Sequence, residues 1–223
     1  MISFKKVFVK YTKEFYALSN INLDIEDGEI LALCGPEDSG KTCFLRLLAG
    51  IETQEKGEIY INDIDVKKID FSANVSMGYI PYKANFFEKK SVYDNLKYVL
   101  SIRKEDKKTV NDKINQAIID FRLESIINEK VHKLTLFQRY LVSIARLSFR
   151  KLDILLIDNI FEELSKDEIA EFLRLVKKYL YRKGLTVIYA TSDDKLAKKV
   201  AQKIVYLDYG VIVNQEDNKK KDK

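Results

Sequence analysis

The sequence predicts an α/β fold: a mainly parallel sheet with helices on both faces, an antiparallel β part at the N-terminus and an inserted helical subdomain. Two patterns carry that expectation. Three short runs, ILALC at 30–34, LDILLID at 152–158 and GLTVIYAT at 184–191, are almost continuously apolar, as strands buried on both faces of a parallel sheet are. Segments with helical spacing lie between and after these runs, and strands alternating with helices imply parallel pairing through helical crossovers.

Taken in order, Val7 and Val9, then Ile21, Leu23 and Ile25, alternate with polar residues, the period of half-buried strands. Asp27-Gly28 signals a tight turn before the first buried run. A glycine-bounded loop follows, then a helix from Lys41 to Ala49 whose apolar residues are Phe44, Leu45, Leu47 and Leu48, with Gly50 as its stop. Residues 57–66 read as strand with a turn at Asn62-Asp63. Residues 86–133 are rich in Lys, Asn and Asp, and Val110, Ile114, Ala117, Ile118 and Phe121 have helical spacing, so this stretch reads as a helical insertion. Helices are expected over 166–182 and 193–201, and a last strand at KIVYLD, 203–208. The expected organisation is a core of 1–85 and 141–223, with a helical subdomain at 86–140.

Composition narrows the class of function. The 223 residues are 46% hydrophobic and 33% charged with mixed signs, a globular profile rather than a disordered or fibrous one. The net charge of +5 owes part of its excess to Lys219, Lys220, Lys221 and Lys223, read as a solvated end. That mild basicity suits an anionic ligand or an acidic membrane surface, and it lacks the clustered stripe that nucleic acid calls for. Two cysteines, Cys34 and Cys43, point to a reducing compartment without a disulfide framework. No apolar run approaches the ~20 residues of a membrane span, and the first residues lack the apolar core of a signal peptide. The expectation is a cytosolic protein that reaches a membrane only through a partner.

Gly35-Pro36-Glu37-Asp38-Ser39-Gly40-Lys41-Thr42 fits GxxxxGK(S/T) between a buried strand and a helix. This is the pattern of a phosphate-binding loop, and with it the fold class becomes a P-loop NTPase of RecA-like type. Glycines let the backbone wrap close to phosphates, so that N–H groups point inward, and the following helix adds its positive N-terminal end. Lys41 is expected on the β- and γ-phosphates of a nucleotide, and Thr42 on Mg²⁺. Glu37 and Asp38 bring like charge to the loop, which weakens polyphosphate binding unless both face solvent.

Over nearly its whole length the chain resembles the nucleotide-binding domain of ABC transporters. The resemblance lies in ALSNINLDIEDGEILALCGPEDSGKTCFLRLLAGIETQEKGEIYINDIDV, MGYIPYKANFFEKKSVYDNL, LTLFQRYLVSIARL, LDILLIDNIFEEL and TVIYATSDDKLAKKVAQKIVYLDYG, five segments in the family's order. It implies an ATP site of Tyr11, Gly35, Pro36, Glu37, Asp38, Ser39, Gly40, Lys41, Thr42 and Cys43, with Thr42 and Asp158 holding magnesium. Tyr11 falls near the aromatic that stacks on adenine, and Phe15 or Tyr16 could also serve. The implied partners are a membrane-spanning transporter subunit, received near Phe86 and Phe87, and a second nucleotide-binding subunit, identical or not. Nucleic acid is not among them.

The departures from the family pattern bear on catalysis. Asn159 stands where the family has a glutamate that polarises the attacking water, and an amide cannot accept that proton. Tyr82 replaces the Q-loop glutamine, Ser192 the switch histidine and Ser165 the D-loop aspartate. The signature LSGGQ reads Leu134-Thr135-Leu136-Phe137-Gln138, which puts bulk at the start of a helix that should approach phosphate, while Thr135 keeps an N-cap hydroxyl. His132, the one histidine, reads as a surface residue. The resulting expectation is a transporter ATP-binding subunit with weak or absent hydrolysis, its alternative a non-hydrolytic nucleotide sensor or scaffold of the same fold. Glu162 and Glu163, a few positions after Asp158, are the nearest other carboxylates along the chain.

Overall fold

The computed structural model describes residues 1–12, 15–70, 74–102 and 106–218. The C-terminal lysine run lies outside them. The chain runs through β1 (Ile2–Lys10), β2 (Tyr16–Ile25), β3 (Ile30–Cys34), α1 (Lys41–Leu48), β4 (Lys56–Ile61), β5 (Ile64–Asp65) and β6 (Met77–Ile80). Next come α2 (Val92–Ser101), α3 (Lys107–Asp120), α4 (Leu136–Ser148), β7 (Ile154–Asp158) and α5 (Lys166–Leu175). Then follow β8 (Thr186–Thr191), α6 (Asp194–Val200), β9 (Lys203–Asp208) and β10 (Val211–Asp217).

Two compact units result, one of residues 1–82, 152–162 and 183–223, the other of residues 83–151 and 163–182. The first unit holds both sheets. An antiparallel sheet is ordered β2-β1-β4-β5, and a six-stranded sheet is ordered β10-β9-β3-β8-β7-β6. In the larger sheet β9, β3, β8, β7 and β6 pair in parallel, and β10 is antiparallel to β9. Strand β3 explains the continuous apolar run. Leu31 and Leu33 enter a core shared with Ile2, Phe4 and Ile59 of the antiparallel sheet and with Phe44 and Leu45 of α1. Ala32 and Cys34, on the opposite face, are buried too. Phe4 and Phe44 stack with ring centroids 4.3 Å apart, tying the antiparallel sheet to the helix that follows the glycine-rich loop. The expected turn between β4 and β5 has Asn62 and Asp63 both at positive φ, 49° and 62°, the conformation that a two-residue hairpin with matching twist requires.

Strand β10 is not foreseen by the sequence pattern. Its residues Asn214 to Asp217 carry no apolar alternation, because an edge strand draws its pairing from backbone hydrogen bonds to β9 and keeps polar side chains in water.

The second unit is helical. Ser91, Thr135 and Ser165 each cap a helix, α2, α4 and α5 in turn, through reciprocal bonds with Asp94, Gln138 and Glu168. Phe121, Tyr140 and Phe172 are fully buried in it. The unit extends past the expected 86–140 span for a physical reason. Helix α4 runs unbroken through residue 140 to Ser148, and Tyr140 packs edge-on against Phe172 of α5, 6.5 Å between centroids. The helix expected over 166–182 is α-helical only to Leu175 and continues as a π-helical turn, Val176–Leu180, which places Tyr179 5.0 Å from Phe121.

Truncating Phe44 removes the stacked ring at the junction of α1 and the antiparallel sheet. Phe44→Ala should cost about 3–5 kcal/mol, whereas Ile119→Ala, at a residue 63% exposed on α3, should change stability by less than about 0.5 kcal/mol. Urea denaturation of both variants checks the contrast.

Candidate nucleotide site

Strands β3, β8 and β7 lie side by side and parallel, so their C-terminal ends meet at one edge of the sheet. Each delivers part of the site: β3 the glycine-rich loop, β7 Asp158 and Asn159, β8 Ser192. Ligand sites of open parallel sheets form beyond such carboxyl ends.

The loop admits glycine alone at two points. A Cβ on Gly35 would lie 2.1 Å from the Leu207 carbonyl oxygen, and Gly40 has φ 101° with a would-be Cβ 2.6 Å from the Ala17 oxygen. Backbone bonds fasten the loop to its surroundings, from Gly35 N to Thr191 O at 3.3 Å and from Gly210 N to Ser39 O at 3.1 Å. Lys41 is only 3% exposed. Its ammonium donates to Gly35 O at 2.8 Å, Pro36 O at 2.5 Å and Ser39 Oγ at 3.3 Å. Burial lowers its pKa, and among the charges that oppose this Glu162 acts most strongly. Pro36, Glu37 and Asp38 form the exposed crest of the loop, so both carboxylates face water and the like-charge objection is reduced.

Helix α1 differs from the other described α-helices at its N-terminus. Ser91, Asp106, Thr135, Ser165 and Asp193 cap α2 to α6 with side-chain acceptors. Gly40 offers α1 none. The first N–H groups of α1 thus remain available to an anion.

Thr42 and Asp158 meet directly, Thr42 Oγ1 donating to Asp158 Oδ1 at 2.9 Å. The Tyr79 hydroxyl on β6 donates to Oδ2, also at 2.9 Å. Burial raises the pKa of Asp158, and the two hydrogen bonds and the nearby Arg46 and Lys41 charges work the other way. Two oxygens, a hydroxyl and a carboxylate, are the hard donors that suit Mg²⁺, which binds nucleotides through one or two protein ligands, phosphates and water. Among the described residues no cluster of three or more His, Cys, Asp or Glu offers a metal cage. Cys43, the third residue of α1, is half-buried, and burial beside Glu52 pushes its thiol far above the ordinary range.

Asn159 follows Asp158 with φ 49°, and its Oδ1 is buried without a hydrogen-bond partner among the described residues. Ser192 donates from its backbone N, at 2.8 Å, and from Oγ, at 3.2 Å, to Glu162 Oε1. Tyr82 lies just past β6, partly exposed. Tyr11 is 83% exposed on the β1–β2 connection, where its N–H bonds Phe15 O at 2.8 Å. Tyr16 instead packs edge-on to Phe8, 5.8 Å between centroids, leaving Tyr11 and Phe15 as the projecting aromatics. In the second unit Thr135 caps α4 as expected: Gln138 N donates to Thr135 Oγ1 at 3.2 Å, and Gln138 Oε1 accepts from Thr135 N at 2.9 Å. His132 is an exposed residue there, its Nδ1 3.0 Å from Glu88 O.

Sequence reasoning missed Tyr79. The signal was weak: one tyrosine in a four-residue strand, with its role visible only once β6 is seen to pair beside β7.

A glycine-only loop around a buried lysine, an uncapped helix behind it and a Thr–Asp pair beside it define a P-loop nucleotide-binding fold. The family model for ABC transporters matches residues 18–162, and the chain belongs to that family as a nucleotide-binding domain. It is 32% identical over 195 residues to the spermidine/putrescine import ATP-binding protein PotA of Hahella chejuensis, an alignment covering 86% of this chain and 53% of the relative. Against the sulfate/thiosulfate import ATP-binding protein CysA of Synechocystis, identity is 30% over 199 residues, 89% of this chain and 56% of the relative. The chain thus spans about half the length of the curated relatives it matches. Among solved structures, the dimeric ATP-binding cassette MJ0796 in a post-hydrolysis state bound to ADP and Pi superposes with a TM-score of 0.86 at 24% identity, covering 99% of this chain and 100% of that one. The curated relatives are named as ATP-binding proteins.

The hydrogen bonds on Asp158 carry a stability prediction. Tyr79→Phe removes one donor from a buried carboxylate and should cost about 1–3 kcal/mol, measured as a lowered urea midpoint at unchanged m-value.

Proposed function

We propose that the chain is the ATP-binding subunit of an ABC transporter complex, hydrolysing ATP weakly. In this reading it lies on the cytoplasmic face of a membrane through a membrane-spanning partner and pairs with a copy of itself or a second nucleotide-binding subunit. The observation that carries the reading is the buried Lys41 ammonium inside a loop that only glycines can form, with Thr42 and Asp158 beside it. Backbone N–H groups between Glu37 and Cys43 hold the phosphates, and Lys41 exchanges its loop carbonyls for β- and γ-phosphate oxygens. Thr42 and Asp158 hold Mg²⁺, which neutralises phosphate charge. Tyr11 lies against the adenine, with Phe15 as the neighbouring aromatic.

No described helix is long and apolar enough to cross a membrane, so in this reading transport needs a spanning partner. The aromatic pair after residue 85 fits that contact. Phe87 is 48% exposed and packs edge-on to Tyr98, 4.6 Å between centroids, and the Arg146 guanidinium lies 5.2 Å over Phe86. Import is the direction named for the relatives. Their named cargoes, polyamines and sulfate, carry opposite charge, so the likeness picks out no cargo for this chain.

Weak hydrolysis rests on Asn159, an amide at the position of the family's base, and on Leu136 and Phe137 at the start of α4. A general base is typically worth about 10²–10⁴-fold. The same residues favour a second reading, a non-hydrolytic nucleotide sensor or scaffold.

Two measurements test the proposal. Titrated with a fluorescent ATP analogue and Mg²⁺, the protein should bind, and Lys41→Ala should bind at least about tenfold more weakly, roughly 1.4 kcal/mol. Equal absence of binding up to millimolar nucleotide in both would reduce the loop to a relic. For the membrane contact, Phe87→Asp should lose capture of the spanning subunit while keeping the thermal midpoint. An unfolded variant would place Phe87 in the core instead.

A further inference from the structure

The turn after β7 is fixed by its apolar residues. Ile160 is wholly buried, and Phe161 packs edge-on to Tyr189 of β8, ring centroids 5.9 Å apart. These anchors bring Glu162 back across the sheet end to the residue after β8, where Ser192 N and Oγ both donate to Oε1. The strand end that holds Glu162 also holds the loop, since Gly35 N donates to Thr191 O, one residue before Ser192. Of the charges around Lys41, Glu162 acts on it more strongly than Cys34, Asp158 or Asp38. Glu162 Oε2 has no partner among the described residues.

The two residues that end and follow β7 fail as proton acceptors. Asn159 is an amide, and both oxygens of Asp158 are engaged, by Thr42 and Tyr79.

We propose that Glu162 is the catalytic base of this chain, a carboxylate displaced three residues along from Asn159 and oriented by Ser192 beside the terminal-phosphate end of the loop. The inference rests on the ATP-binding reading and assigns the weak turnover of that site. In the step, a water oxygen forms a bond to the γ-phosphorus while its proton passes to Glu162 Oε2. The bond between the γ-phosphorus and the β–γ bridging oxygen breaks, and its electron pair stays with ADP. The products are ADP and inorganic phosphate, and Glu162 then returns the proton to solvent or phosphate. Ser192 acts as a positioning residue: its two donors take Oε1 and leave Oε2 for the water.

The test uses the full chain at high micromolar concentration with ATP and Mg²⁺, measuring ATP affinity and phosphate release on the same samples, with Lys41→Ala as the blank. Wild type should release phosphate slowly but above the blank. Glu162→Gln keeps the shape and should keep ATP affinity within about threefold, while turnover falls by about 10²–10⁴-fold, or to the blank. Ser192→Ala removes only the Oγ donor and should lower turnover less than Glu162→Gln does, again at unchanged affinity. Unchanged turnover in Glu162→Gln overturns the proposal, and so does wild type that binds ATP without exceeding the blank. Tenfold tighter ATP binding by Glu162→Gln at unchanged turnover makes Glu162 an electrostatic gate on the phosphate site, again against the proposal. Wild type that binds no ATP overturns the ATP-binding reading itself.

Discussion

The ammonium of Lys41 is almost wholly withdrawn from water, and its hydrogen-bond acceptors all come from one loop: two carbonyls and a hydroxyl within six residues of it. A buried cation without such partners would cost several kcal/mol, so the loop has to close around the lysine. Closure demands glycine at 35 and 40, where a side chain would strike the Leu207 and Ala17 carbonyl oxygens. It also fixes where α1 begins, and through α1 the stacked Phe4–Phe44 pair and the core it shares with both sheets. Thr42, the next residue, is then delivered to Asp158 at hydrogen-bond distance. In the proposed reading, folding and phosphate recognition use the same contacts. The acceptors that hold Lys41 in the free chain are the ones a phosphate would replace, which keeps the ammonium aimed at the loop centre in advance.

Around that cation the negative charge is unevenly placed. Asp158 is buried and held by two hydroxyls, an arrangement that keeps a carboxylate fixed where burial alone would push it toward its neutral form. Glu37 and Asp38 stand in water, where their field on the loop is screened. Glu162 is tied by Ser192 to the end of β8. Asn159, between Asp158 and Glu162, adds no charge, and its buried side-chain carbonyl oxygen has no partner among the described residues, in a left-handed backbone. A carboxylate at that point would put a second negative charge next to Asp158 along the chain. The amide relieves that repulsion and gives up proton acceptance at position 159.

Much of this arrangement is legible in the amino-acid sequence. Buried parallel strands announce themselves by continuous apolar runs, and β3, β7 and β8 coincide with ILALC, LDILLID and GLTVIYAT. The phosphate loop is a local motif with a fixed spacing. The features that leave no such trace are non-local or polar. The second half of β10, Asn214 to Asp217, is edge strand whose pairing is carried by backbone, which leaves no hydrophobic signature. The extent of the helical unit depends on Tyr140 meeting Phe172, a contact 32 residues apart in sequence. Tyr79 becomes part of the site only through the pairing of β6 with β7. For Glu162 the sequence supplies the residue and its nearness to Asp158. It does not choose between Glu162 and Glu163, because that choice depends on how Phe161 packs against Tyr189.

The demand that polar groups be satisfied, which closes the loop on Lys41, also governs the helix termini. Each N-terminus presents N–H groups that need acceptors. In α4 the need is met internally: Thr135 takes the Gln138 N–H and the Gln138 side chain takes the Thr135 N–H. At α1, Gly40 brings no side-chain acceptor, and its φ of 101° is a conformation that capping side chains rarely adopt. A glycine at the N-cap in place of a capping side chain typically costs only about a few tenths of a kcal/mol, a cost that a bound anion offsets. The two ends therefore differ in what they ask of a ligand. Helix α1 would be stabilised by a phosphate. At α4 a phosphate would have to compete with a complete capping box and approach past Leu136 and Phe137, and the N–H groups there gain little from the exchange.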